Sequence, residues 1–219
     1  MKRTKINFQE RKMTKKILFQ GDSITDCGRS REDVAGFNSF GVSPGYPGMV
    51  AADLWSKYPQ EYEVVNRGIS GNRIVDLYAR WKADCLNLKP DILSILIGVN
   101  DTWHEFGNKN GVEVPRYERI FRELLQWTVD TLPGVQLVLI EPFLGTYEPN
   151  YVMMDEVRER AAVVKKLAEE FNAIFIPAQS LFDEAAKLAP STYWLGDGVH
   201  PTPAGHRILA NAWEKAMGL

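Results

Sequence analysis

Cysteine, histidine and net charge are all scarce in this chain. Of its 219 residues two are cysteines, Cys27 and Cys85. That is too few for the disulfide framework of a small secreted fold, and with no apolar leader ahead of them they point to a reducing, cytoplasmic setting. The N-terminal MKRTKINFQERKMTKK is basic but lacks the apolar segment of a secretory signal. Residues 1–14 read as a polar extension and residues 15–219 as a single domain, since no internal repeat or low-complexity linker breaks the chain. No run reaches the roughly 18 apolar residues of a membrane span, so no membrane partner is expected. A formal net charge of −2 supplies no overall field to draw nucleic acid. The three histidines, His104, His200 and His206, leave few candidates for acid–base chemistry.

What the chain does have is apolar residues, 45% of the total, arranged in two alternating patterns. Short runs at Ile17–Gln20, Tyr62–Asn66, Ile92–Ile97, Val135–Glu141 and Ala173–Pro177 are rich in Ile, Val, Leu or Phe and bounded by Gly, Pro, Asn or Asp. Strands buried on both faces read this way. Between them the apolar spacing changes to a period near 3.6. One stripe is Tyr117, Ile120, Phe121, Leu124, Leu125 and Thr128; another is Val157, Ala161, Val164, Leu167, Ala168 and Phe171. A final helix is expected from Pro201 to about Met217, with Ile208, Leu209, Ala212, Trp213 and Ala216 inward and Pro201 in its first turn. Strand and helix alternating in this way predict an α/β fold, a parallel sheet covered on both faces by helices.

In such sheets ligands bind outside the carboxyl ends of the strands. Four segments are expected at that edge: Gly21-Asp22-Ser23, NRGISGNR at 66–73, GVND at 98–101 and GDGVHP at 196–201. Each has a plain structural reading. Ser23 stands where a helix N-cap would stand, Gly71 and Asn100 suit turns, and Asp197 could cap the final helix. Taken together they hold everything acyl transfer requires. Ser23 is a nucleophile, His200 a base, and Asp197 a carboxylate to orient that base. The Ser23 and Gly71 N–H groups and the Asn100 amide are donors for an oxyanion. Asp22, Trp103 and Trp194 are the substrate-side candidates, Asp22 chiefly through the hydrogen bonding of its loop. The two indoles could line the site but equally suit a core. His206, one turn into the last helix, reads as structural. A metal-dependent phosphatase of the haloacid dehalogenase type would need Asp at position 24, which is Ile. A G-x-S-x-G elbow would need Gly at 25, which is Thr.

The blocks GDSITDCG, RGISGNR, IGVND and DGVHP, in this order, resemble those of the SGNH hydrolases, the GDSL-like esterases and lipases, over nearly all of the chain beyond the extension. The first block reads GDSI where the family name has GDSL. The resemblance implies a flavodoxin-like three-layer α/β/α sandwich with a five-stranded parallel sheet. It assigns Ser23, Asp197 and His200 to a triad and Ser23, Gly71 and Asn100 to an oxyanion hole, and it implies no metal or organic cofactor. Within the family, GDSITDCGR, GISGNR with LYARW, and IGVNDTW look most like intracellular carbohydrate deacetylases of the acetylxylan esterase type. That implies a small acylated substrate such as an acetylated xylo-oligosaccharide, and a homo-oligomer. A thioesterase or lysophospholipase-like hydrolase, or a carbohydrate-binding protein without catalysis on the same fold, is the alternative.

Overall fold

A computed structural model describes residues 14–32 and 39–219; the expected N-terminal extension lies outside them except for Thr14. Five strands, β1 (Lys15–Gly21), β2 (Tyr62–Asn66), β3 (Ile92–Leu96), β4 (Gln136–Ile140) and β5 (Ile174–Ile176), form one all-parallel sheet in the order β2-β1-β3-β4-β5. The helices are α1 (Ser23–Asp26), α2 (Ser39–Val42), α3 (Tyr46–Lys57), α4 (Ile74–Asp84), α5 (Val99–Asn108), α6 (Val114–Thr131), α7 (Met154–Glu170), α8 (Ala178–Ala185), α9 (Ser191–Trp194) and α10 (Pro203–Met217).

Alternation along the strands divides the interior into two cores. Ile17, Phe19, Ile92, Leu96, Val138 and Ile140 join α3, α8 and α10 on one face. Leu18, Leu93, Ile95, Leu137 and Leu139 join α4, α6 and α7 on the other. Because both faces are covered, the central strands β3 and β4 read as near-continuous apolar runs, while the edge strand β2 keeps an exposed Glu63. The helical stripes pack as expected: Tyr117, Phe121, Leu124, Leu125 and Thr128 are buried on α6, and Val157, Ala161, Val164, Leu167 and Ala168 on α7. The result is the three-layer sandwich with flavodoxin-like strand order that the blocks implied. In that order the chain reverses direction of travel between β1 and β3, where a crevice opens at the carboxyl edge.

Two details of the last helix differ from expectation. It begins at Pro203, not Pro201, because the Thr202 hydroxyl accepts the Gly205 N–H as N-cap. Pro201 instead pairs with Leu195 in an isolated antiparallel bridge. Ala216 is exposed rather than inward. The inward face is Leu209, Ala210 and Trp213, with Ile208 and Ala212 partly buried against the core.

Trp213 anchors α10 to the sheet. Its ring lies 5.4 Å from that of Phe19 on β1, and its indole N–H donates to Ser94 Oγ on β3 at 3.1 Å. Truncation would leave both a large cavity and an unpaired buried hydroxyl. Trp213→Ala is expected to cost about 3–5 kcal/mol in urea unfolding; a loss under about 1 kcal/mol would contradict this packing role.

Candidate active site

The site forms where β1, β2 and β3 end. At the end of β1 the chain passes so close to β3 that a Cβ on Gly21 would collide with the Leu96 carbonyl oxygen. Asp22 then caps α1: its Oδ1 accepts the Ile24 N–H at 2.9 Å. Ser23 is therefore the first residue of α1 and not its cap. Its hydroxyl lies 2.8 Å from His200 Nε2.

The His200 loop reaches this edge from between α9 and α10. His200 Nδ1 is 2.7 Å from Asp197 Oδ2. The Asp197 carboxylate accepts from Nδ1, so the tautomer leaves Nε2 free to accept from Ser23. Asp197 Oδ1 accepts the backbone N–H groups of Val199 and His200 at 2.9 and 2.7 Å. Burial pushes this carboxyl up, but those bonds and the imidazole outweigh it and hold it below its ordinary value. The loop is pinned by the segment after β4. Gly145 N–H donates to Gly198 O at 2.7 Å and the Asn150 amide to Asp197 O at 2.7 Å.

The loop after β2 is fastened from several sides. Asn66 donates to the carbonyls of Thr25 and Val42 and accepts from Gly68 N–H. Asp26 Oδ2 accepts from Ser70 N–H at 2.9 Å, Ser70 Oγ at 2.8 Å and Arg31 Nη2 at 2.6 Å. Gly71, at φ +82°, has the left-handed conformation that glycine adopts most readily. Arg80 donates to Asn72 Oδ1 at 2.8 Å, and the Asn72 carbonyl accepts from the Asn100 amide at 3.2 Å. One N–H of that amide is thus fixed, and the other remains available.

Asn100 belongs to the first turn of α5. Its neighbour Asp101 is fully buried and accepts the Ile74 N–H at the start of α4. Burial raises both Asp22 and Asp101 to about 7. His206 is buried, its pKa lowered to about 4 mainly by burial. Its Nδ1 accepts the Tyr46 N–H at 3.2 Å, and its Nε2 lies 3.3 Å from Cys27 Sγ, a structural arrangement away from the cleft.

A cleft of about 520 Å³ opens over these groups, within the roughly 300–1,000 Å³ common for small-molecule sites. It is lined by Ser23, Ser70, Gly71, Asn100 and His200, and by Trp103, His104, Gly107 and Asn108 of α5. Ser23, His200, Gly71 and Asn100 share it, with Asp197 behind the imidazole. Of the three substrate-side candidates only Trp103 lines it. Asp22 is 1% exposed and organises the turn instead. Trp194 packs against the core and Tyr193, its indole N–H donating to Ala189 O at 3.3 Å. Of the α5 residues beyond Trp103 the sequence singles out only His104, as one of three histidines; Gly107 and Asn108 carry their signal in their spacing from Asn100.

A folded-state pKa raised above 3.8 means that Asp101 holds its proton in the folded protein over a pH range where the unfolded chain has lost it. Its stabilising contribution is complete below pH 3.8 and is lost as pH rises through about 7. Asp101→Asn keeps an acceptor for Ile74 N–H without the charge. Thermal unfolding between pH 4 and 8 should show the variant gaining on the wild type as pH rises, then a constant difference. An offset independent of pH would contradict the burial argument.

Comparison with known proteins gives three consistent findings. An acetylxylan esterase from Geobacillus stearothermophilus is 40% identical over 209 residues, 93% of this chain and 94% of that protein. A crystal structure of an acetylxylan esterase from the same organism has a TM-score of 0.86 at 38% identity, covering 95% of this chain and 97% of that one. A crystal structure of a protein from Parabacteroides merdae has a TM-score of 0.86 at 44% identity, covering 95% of this chain and 99% of that one. Variants of the Geobacillus enzyme described as catalytic mutants replace a serine, an aspartate and a histidine by alanine, the last two three residues apart. With residues 19–208 matching its family model, this chain belongs to the GDSL-like lipase/acylhydrolase family.

Proposed function

We propose that this protein is a serine esterase that removes acetyl groups from a carbohydrate such as a xylo-oligosaccharide, through an acyl-enzyme on Ser23. The observation that carries this reading is the hydrogen-bonded series Ser23–His200–Asp197, 2.8 and 2.7 Å, opening on the same cleft as Gly71 and Asn100. The acetylxylan esterase activity named for the Geobacillus relative supports the substrate class. The serine, aspartate and histidine changed in that enzyme's catalytic mutants match the chemistry and the Asp-to-His spacing here.

In this mechanism His200 Nε2 takes the Ser23 proton as Oγ attacks the acetyl carbonyl. The negative charge that develops on the carbonyl oxygen is met by the N–H groups of Ser23 and Gly71 and by the free N–H of the Asn100 amide. Ser23 N–H stands in the first turn of α1, where no preceding helical carbonyl is available to it. Asp197 stabilises the imidazolium that forms and holds its ring in place. As the intermediate collapses, the bond from the acyl carbon to the sugar oxygen breaks and His200 gives its proton to that oxygen. Water, deprotonated by the same His200, attacks the acyl-enzyme, and acetate leaves with Ser23 restored.

Asn100 is the donor most open to test, because the helix start does not depend on its side chain; truncation also frees the Asn72 carbonyl. Asn100→Ala is expected to lower kcat by roughly 10²–10³-fold with little change in KM. The substrate class is tested by acetate release from acetylated xylo-oligosaccharides beside p-nitrophenyl esters of increasing chain length. Ready acetate release, with Ser23→Ala slower by roughly 10⁴–10⁶-fold, is the expected result. Efficient long-chain or thioester cleavage without acetate release would overturn the carbohydrate reading, and full activity in Ser23→Ala would overturn the serine mechanism.

A further inference from the structure

The residues of α5 that face the cleft are Asn100, Trp103, His104, Gly107 and Asn108. Their spacing, i, i+3, i+4, i+7 and i+8, makes one unbroken stripe along the helix. At 1.5 Å per residue the stripe runs ~12 Å outward from the oxyanion donor. Only its first member has a place in acyl transfer, yet the cleft continues over all of it.

The direction of the stripe decides what lies on it. His200 returns its proton to the leaving oxygen, so the leaving group occupies the His200 side of the acyl carbon. The Trp103 ring is on that side, its centroid 5.8 Å from the His200 ring. A leaving alcohol larger than a few atoms would therefore extend across Trp103 and on along α5. The surface it meets suits a sugar: an indole face beside His104 and Asn108, which offer hydrogen bonds, and a bare Gly107 between them. Burial, with Arg73 nearby, lowers His104 below its ordinary pKa, which leaves a neutral ring with one donor and one acceptor. The platform is also fixed. Gly111 N–H donates to Glu105 Oε2 at 3.1 Å, Asn110 N–H to His104 O at 3.1 Å and Val112 N–H to Asp101 O at 2.9 Å.

We propose that Trp103, His104, Gly107 and Asn108 form the acceptor subsite, the part of the enzyme that selects which alcohol is deacylated. Trp103 underlies the sugar ring that carries the acyl group, His104 and Asn108 hold hydroxyls, and glycine at 107 keeps room for a neighbouring ring. This rests on the carbohydrate reading above and adds to it the residues that set specificity. Position 107 is a direct probe, since a Cβ built there meets no atom within 4 Å beyond its chain neighbours and its own helix backbone, and a residue other than glycine favours the helix.

The test is steady-state kinetics of the wild type, Gly107→Leu and His104→Ala on acetylated xylobiose and on p-nitrophenyl acetate, with thermal melts to establish folding. The ratio of kcat/KM for the disaccharide to that for the aryl ester is expected to fall at least about tenfold in Gly107→Leu, through KM. His104→Ala should lower the same ratio and keeps the test in force should Gly107→Leu not fold. Ratios within about twofold of wild type in both variants would overturn the subsite while leaving the carbohydrate reading intact. A wild type that hydrolyses p-nitrophenyl acetate but releases no acetate from any acetylated sugar would overturn the carbohydrate reading itself, and the sugar subsite with it.

Discussion

The first turn of α1 has backbone N–H groups with no helical partner, and the side chain that satisfies them determines what Ser23 can do. A serine at a helix start is a good cap, and a capping hydroxyl is occupied. Here the Asp22 carboxylate accepts the Ile24 N–H instead. The cap moves back one residue, Ser23 becomes the first helical residue, and its hydroxyl turns to His200. The cost is a carboxyl group buried with its second oxygen unpartnered, pushed toward neutrality by the loss of water. Gly21, forced by the close approach of β1 to Leu96, puts this cap where β1 and β3 diverge.

From that point outward the site is held by polar groups that are not themselves reactive. Asp26 ties the β2 loop to α1 through Ser70, and Arg80 ties it to β1 through Gln20 and the Gly21 carbonyl. Arg80 also fixes Asn72, whose carbonyl orients the Asn100 amide. Asp101 joins the start of α4 to that of α5. These bonds are mostly shielded from solvent, where a lost partner is costly, so they define one arrangement of the loops. If Gly71 and Asn100 are the oxyanion donors proposed above, such a network places them in advance, with no reorganisation during reaction.

Much of this was legible in the sequence, for physical reasons. Central strands covered on both faces are largely apolar, and even the edge strand β2, with Glu63 exposed, is legible to the residue. The α6 and α7 stripes were plain because each helix buries one side. The residues expected at the carboxyl edge, Ser23, Gly71, Asn100 and His200, do share a cleft. The start of α10 was misread because Pro201 and Pro203 both suit a first turn, and only the Thr202 cap distinguishes them. Nearness in sequence to Asp197 suggests that Trp194 lies beside the site, but the chain turns between them and the indole is partly buried against the core. The helices α3 and α4 were not singled out, and neither has a Ser, Thr, Asp or Asn at its cap position to announce it. Gly107 and Asn108 were missed because a glycine and an asparagine near a helix end look like a stop signal. Their membership of the Asn100 stripe appears only when they are counted in helical register.

A nucleophilic Ser23, freed from capping and paired with His200, should react selectively with a serine-directed phosphonylating reagent. The most direct measurement is labelling with an organophosphonate followed by peptide mass spectrometry. The expected result is a single stoichiometric adduct on the peptide containing Ser23, formed much more slowly in His200→Ala. An adduct on another residue, or none under conditions where the ester substrate is turned over, would contradict it.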